Sequence, residues 1–251
     1  MLKTRVIPVL SLKGSGIIKT HKFKTQTYLG DPLNAVKIFN EKEVDELVIL
    51  DIFASKENRE PNYSKIKNIA TECFMPLAYG GGIKTIEHIK KVFDQGVEKV
   101  IINSASTNYQ LITNAAKIYG TQSIVVSVDI KKNIWGSHEA YTFSGTKKNK
   151  ISLDSHIQNI AKAGAGELIL QSIDNDSVMK GFDLKLIEKV SNQLEIPIVA
   201  LGGAGELNHF KEAISHGASA VAAGSMFVFK GKHRAVLINY PTQKDLKNIL
   251  N

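Results

Sequence analysis

The chain has 251 residues, of which 43% are hydrophobic and 22% charged, the composition of an ordinary globular protein with a sizeable core. No apolar run approaches the ~18 residues needed to cross a bilayer, and the single Cys73 excludes an internal disulfide. The net charge of +8 invites a nucleic-acid reading, but no recognition helix, zinc pattern or aromatic-stacking motif accompanies it. Many of its lysines are scattered along helix patterns, and the denser groups at residues 13–24 and at Lys147, Lys148 and Lys150 fall in predicted loops. A basic rim that attracts a multiply phosphorylated small molecule fits better, with no nucleic-acid or membrane partner.

In chain order, the N-terminal residues lead straight into a strand pattern without signal-peptide architecture, which makes the cytoplasm the expected compartment. Strands are expected at 5–10, 47–52, 76–79, 99–102, 123–129, 167–171, 197–200 and 219–223. They lack strict alternation, as parallel strands covered on both faces do. Residues 13–30 form a long, basic, glycine-containing loop of the kind that closes over sites. Asp31-Pro32 is an N-cap with proline at the first helical position, opening a helix to Lys42. Further helices are expected near 63–74, 85–95, 108–119, 153–163, 183–193, 206–216 and 243–250. Cys73 falls inside the first of these as a buried apolar filler. Residues 131–147, with Trp135-Gly136-Ser137 in the middle, suggest a small hairpin. Eight alternations without a linker predict one α/β domain over 1–251, a closed (β/α)8 TIM barrel.

The pattern is written twice. Glu46-Leu-Val-Ile-Leu matches Glu167-Leu-Ile-Leu-Gln, Gly81-Gly82 matches Gly202-Gly203, and Val100 with Asn103 matches Val221 with Gly224, each pair 121 positions apart. Two duplicated half-barrels, about 1–121 and 122–251, follow. Gly80-Gly81-Gly82 with Asn103-Ser104, and Gly202-Gly203-Ala204-Gly205 with Gly224-Ser225, would each gather backbone N–H donors for a phosphate. Tight turns alone would explain either cluster; the recurrence favours anions.

Asp129 lies in an apolar strand aimed at the barrel mouth, where a carboxylate is costly unless it does acid–base work or meets a partner. Asp51 could bind substrate or anchor loops, while Asp174 and Asp176 could bind hydroxyls or shape a turn. His21, His138 and His209 have no metal-ligand spacing, so neither metal nor cofactor is expected. At the opposite end Arg5, Glu46, Lys99 and Glu167 begin strands 1, 2, 4 and 6. Pointing inward they would form a salt-bridged ring across the floor, a plug or a gate for a small polar molecule.

The segments Asp45-Glu-Leu-Val-Ile-Leu-Asp-Ile, Gly80-Gly-Gly-Ile, Ala163-Gly-Ala-Gly-Glu, Ser172-Ile-Asp-Asn-Asp and Gly202-Gly-Ala-Gly resemble the HisF-type cyclase subunit of imidazole glycerol phosphate synthase, along essentially the whole chain. The resemblance implies two phosphate sites and a HisH-type glutaminase at the barrel bottom. It also implies ammonia passing the gate of Arg5, Glu46, Lys99 and Glu167 to a phosphorylated substrate at the top, with Lys19 as the mobile-loop lysine. Some substrate-contacting positions depart from the family. Ser11 stands where a catalytic aspartate is expected opposite Asp129, Gln171 and Leu201 replace small polar residues, and Ser177 replaces a glycine. A serine hydroxyl is un-ionised at neutral pH and is no general acid or base.

Together with the C-terminal Lys232-His-Arg-Ala-Val-Leu-Ile-Asn-Tyr-Pro, these departures resemble a paralogous branch linked to acetamidino-sugar and surface-polysaccharide synthesis. That branch implies a sugar-modifying amidotransferase as a further partner. The alternatives are a histidine-pathway cyclase that tolerates Ser11, and a scaffold that activates a glutaminase. All rest on a hollow, gated barrel, expected to have a polar lining: floor charges turned outward to water, or a tube packed shut with no polar lining, would contradict them.

Overall fold

Runs of valine, isoleucine and leucine without polar alternation need cover on both faces, and a closed ring of parallel strands inside a ring of helices supplies it. The computed structural model describes residues 4–250; residues 1–3 and 251, counted in the expected single domain, lie outside the described residues. The barrel strands are β1 (Arg5–Lys13), β2 (Leu47–Asp51), β3 (Leu77–Gly80), β4 (Lys99–Ile102), β5 (Ile124–Lys132), β6 (Glu167–Ser172), β7 (Ile198–Leu201) and β8 (Ala220–Ala223). Each pairs in parallel with the next. The ring closes where Arg5 of β1 meets Ala220 of β8. This is a (β/α)8 barrel.

The helices are α1 (Pro32–Glu41), α2 (Tyr63–Glu72), α3 (Ile86–Phe93), α4 (Tyr109–Tyr119), α5 (Leu153–Lys162), α6 (Leu184–Ser191), α7 (Leu207–Ser215) and α8 (Gln243–Leu250). Their starts follow capping chemistry. Asp31 accepts from the N–H groups of Leu33 and Asn34 with Pro32 in the first turn, and Asn62, Thr85, Asn108, Ser152 and Asp183 cap in the same way. Among the described residues no helix is long and apolar enough to cross a membrane.

Three expectations change. Helix α2 stops at Glu72, so Cys73 lies beyond it in extended backbone, half-buried rather than inside the helix. Burial pushes its thiol up to about 11. Residues 13–30 are not an irregular loop: Gly16–His21 and Thr25–Gly30 form an antiparallel hairpin that extends β1, with Ser11 opposite Ile18. After β8 comes a one-turn helix, Ser225–Val228, and an unforeseen small hairpin of Phe229–Lys230 with Ala235–Val236. The hairpin expected within 131–147 is present, β5 returning as His138–Thr142, and its tip carries Ile134 and Trp135 almost fully exposed.

The half-barrels repeat in atomic detail. Leu47 N–H donates to Pro76 O and Leu168 N–H to Pro197 O, both at 2.9 Å; Glu98 to Leu77 and Ser219 to Ile198 repeat likewise. Gly81 and Gly202 share positive φ, +130° and +97°, and a β-carbon would stand 2.5 Å from Asp51 O and 2.6 Å from Ser172 O. Both positions therefore require glycine for the chain to turn against the preceding strand's end. Replacing either by alanine is expected to lower the melting temperature by roughly 5–10 °C. Gly136→Ala, at φ +79° with nothing within 4 Å, should cost only roughly 2–4 °C. Thermal unfolding followed by circular dichroism checks this; equal small losses at all three positions would refute it.

Candidate functional site

The floor is built from four side chains that strand order brings together. Arg5 donates to Glu46 and Glu167, and Lys99 Nζ donates to Glu46 Oε1 and Oε2 at 3.0 and 2.9 Å and to Glu167 Oε2 at 3.4 Å. Signs alternate around the ring. The carboxylates are nearly inaccessible, at 5% and 8% exposure, while Arg5 and Lys99 keep 29% and 22%. Burial alone would lower the Arg5 guanidinium, but the hydrogen bonds and charges of Glu167 and Glu46 outweigh it and hold it above its ordinary value. The ring faces inward, as expected.

Above the ring is a small void of about 10 Å³, bounded by Glu46, Glu167 and apolar side chains including Ile7, Val48, Val125 and Ile169. That is room for about one water-sized molecule. The expected polar lining is absent from this stretch: among the described residues the barrel interior is a cluster of Ile, Val, Leu and Ala. Polar groups there would face one another without enough partners. Val9 and Ile101 border both this void and the cavity above it.

At the mouth, the C-terminal strand ends enclose a cavity of about 230 Å³. Of the mouth residues singled out from the sequence, Ser11, Lys19, Asp51, Gly82, Asn103, Ser104, Asp129, Gln171, Asp176, Gly202, Gly203, Gly224 and Ser225 line it, whereas Asp174 and Gly205 do not. Asp129 on β5 lies in register with Gln171 on β6, both buried. Burial pushes the Asp129 carboxyl up to about 7, the Asn103 hydrogen bond opposing and the Asp176 charge adding to the shift. Ser11 is half-buried, on β1.

The other carboxylates are already engaged. Asp51 Oδ1 accepts from the N–H groups of Phe53 and Ala54 at 3.2 and 3.1 Å, and Arg59 donates to both its oxygens. It anchors the β2–α2 loop while bordering the cavity. Asp176 receives Lys19 Nζ at 2.5 Å, Thr20 Oγ1 at 3.0 Å and Phe23 N–H at 3.4 Å, which fastens the 16–30 hairpin over the mouth. Asp174 accepts from Lys132 N–H at 2.8 Å, which ties the β6–α6 connection to the end of β5. His138 pairs with Asp183, and His209 Nδ1 lies 3.1 Å from Gly205 N. Among the described residues no three His, Cys, Asp or Glu side chains gather as a metal would require.

Of the two glycine clusters, the first is flanked by Ser104, whose hydroxyl accepts from Phe143 N–H, and by Asn103, whose amide donates to Ser127 O at 3.0 Å. At the second, Ser225 and Ser177 hydroxyls are 2.6 Å apart, and Lys19 lies beside Gly224. Sequence reading missed Thr20, Phe23, Arg59 and Ser144. Thr20 and Phe23 reach the site from the 16–30 hairpin, and Arg59 and Ser144 from connecting segments, none of which carries a helical or barrel-strand periodicity that marks them.

The profile of the family described as "Histidine biosynthesis protein" matches residues 5–234. A Pseudomonas aeruginosa protein named "Putative imidazole glycerol phosphate synthase subunit hisF2" is 52% identical over 243 residues, 96% of this chain and 97% of its own. A Leptospira borgpetersenii protein named "Putative imidazole glycerol phosphate synthase subunit HisF" is 49% identical, covering 98% of each chain. "Imidazole glycerol phosphate synthase subunit HisF" of Streptococcus sanguinis is 39% identical over 229 residues, 90% of this chain and 91% of its own.

The Asp129 carboxyl titrates near 7 when folded and near its ordinary value when unfolded. Its contribution to stability is therefore full below the unfolded value and is lost as pH rises through about 7. Asp129→Asn, which cannot ionise, should gain on the wild type between pH 5 and pH 8, by roughly 2–4 kcal/mol at the upper end. Urea unfolding at both pH values reads this. A difference that stays flat with pH would refute a buried acid titrating near neutrality.

Proposed function

This chain belongs to the histidine biosynthesis protein family and is of the HisF type, and from that premise we propose that it takes ammonia through the charged floor and delivers it to a phosphate-bearing substrate at Asp129. The observation that carries this reading is the pairing of a closed four-charge ring with a buried acid near pKa 7 at opposite ends of one apolar-lined barrel. An apolar tube suits neutral ammonia and opposes ammonium, which would shed its hydration without a partner. The ring has to open for passage, and Lys99 and Arg5, the more exposed members, are the side chains with room to move.

A glutaminase partner of the HisH type would cover the floor. Phe74 beyond α2 and Ile118 in the last turn of α4 are exposed near that end of the barrel, where strands begin. At the mouth the two glycine clusters would hold phosphates with backbone N–H groups, and Lys19 would supply a counter-charge once it leaves Asp176. Asp129 would move protons, since an acid titrating near the working pH serves in both forms.

The acceptor belongs, in our reading, to amidino-sugar rather than histidine chemistry, with a sugar-modifying amidotransferase downstream. Ser11 supports this, because it leaves Asp129 without the second carboxylate of the family pattern. The relatives at 52% and 49% identity carry the qualified name, whereas the one at 39% carries the plain one. Asp129 itself favours the second reading, a cyclase of histidine biosynthesis, because that acid is in place and poised.

Purified protein given ammonium salt and the histidine-pathway ribulosyl intermediate should form imidazole at least about 100-fold more slowly than Ser11→Asp. Fast turnover by the wild type, unimproved by Ser11→Asp, would assign the histidine pathway instead. In the complex with its glutaminase, unchanged product formation by Asp129→Asn would reduce the chain to a scaffold.

A further inference from the structure

Ser177 occupies a backbone conformation that favours glycine, with φ +63°. It follows Asp176 in the β6–α6 connection, and its side chain is buried and borders the mouth cavity. Its hydroxyl lies 2.6 Å from that of Ser225, which is equally buried and borders the same cavity beside Gly224. On its other side, Arg234 reaches in from the C-terminal hairpin. One guanidinium nitrogen donates both to the Ser177 carbonyl and to Ser177 Oγ, the latter at 3.2 Å. Stacking of Arg234 over Phe229, 5.2 Å from the ring centre, fixes the approach.

The direction of these hydrogen bonds follows from what each group can do. Arginine only donates, so Ser177 Oγ accepts from it. The single hydroxyl hydrogen of Ser177 is then available to Ser225 Oγ, and the hydrogen of Ser225 is left for the cavity. We propose that Arg234 and Ser177 are positioning residues for the second anion site: they orient the Ser225 hydroxyl as a donor to the phosphate monoester end of the substrate. The guanidinium charge, passed through two hydroxyls, strengthens that donor. This explains why a strained serine stands at a glycine-favouring position: the hydroxyl does work at the rim that a hydrogen atom could not do. The proposal rests on the reading that Gly203, Gly224 and Ser225 hold a phosphate.

Ser177→Gly separates this role from a structural one because the two predict opposite signs. Relief of the left-handed strain should raise the melting temperature by roughly 2–4 °C. Loss of the relay should weaken inorganic phosphate binding about 5- to 10-fold. Arg234→Met, which keeps the stem over Phe229, should weaken it similarly. Phosphate is titrated into the full-length 15N-labelled chain, followed at the amides of Gly203, Gly224 and Ser225. Wild-type shifts at those amides, with weaker binding by both variants and a more stable Ser177→Gly, are the expected result. Wild-type binding matched by both variants would overturn the relay and leave the anion site standing. Silence of those amides in the wild type would overturn the anion site and the relay with it.

Discussion

Closure of the parallel sheet on itself, with β1 hydrogen-bonded to both β2 and β8, is the constraint from which the other features follow. It sends every strand's first residues to one end and every strand's last residues to the other. Arg5 and Glu167 meet although 162 positions separate them, and Lys19 meets Asp176 across 157. Neither contact is available to a local segment. An open sheet of the same strands would leave β1 and β8 as edges and spread the four floor charges along a line.

The two ends treat buried charge differently, and the difference sets what each can do. At the floor both carboxylates meet both cations, so removing one partner would strand a buried charge. At the mouth Asp129 is buried at the cavity wall with only the Asn103 amide opposing its shift, and the nearby Asp176 charge raises it further. One end is thus electrostatically satisfied and closed, the other held near its titration point. Between them the barrel interior is, among the described residues, an apolar cluster with no charged side chain to bridge the two ends.

Much of this was legible in the chain because it is periodic or local. The 121-residue offset shows in Glu46 and Glu167, and the capping pair Asp31-Pro32 marks a helix start without reference to anything distant. What stayed hidden depends on contacts between segments. The apolar wall above the floor was read as polar, because a strand's sequence does not say which of its two covered faces looks inward. Asp51 was open between ligand and anchor until Arg59, eight residues on, was seen to hold it. The glycine pairs carried two meanings at once. Gly81 and Gly202 are already demanded by the backbone they turn against, so their recurrence testifies to duplicated turns first and to anions only together with Ser104 and Ser225.

The duplication also exposes where the halves have diverged. The position of Asp51 in the first half is Ser172 in the second, and that of Asn103 is Gly224. The first glycine cluster is braced by Asp51 on Arg59 within its own half, and by Asn103 on Ser127 across the boundary between the halves. The second has lost both braces. Its loop is held by Asn175 donating to Gly181 O, and its rim is completed by Lys19 and Arg234, which arrive on hairpins from opposite ends of the chain. A site completed by hairpins is coupled to their motion, and the first cluster meets one as well, at Ser104, which accepts from Phe143 N–H of the 131–147 hairpin. The fastening of the 16–30 hairpin to Asp176 bears on the second cluster more than on the first, so that on the proposed reading the near-symmetric scaffold would hold the two ends of a substrate by different means.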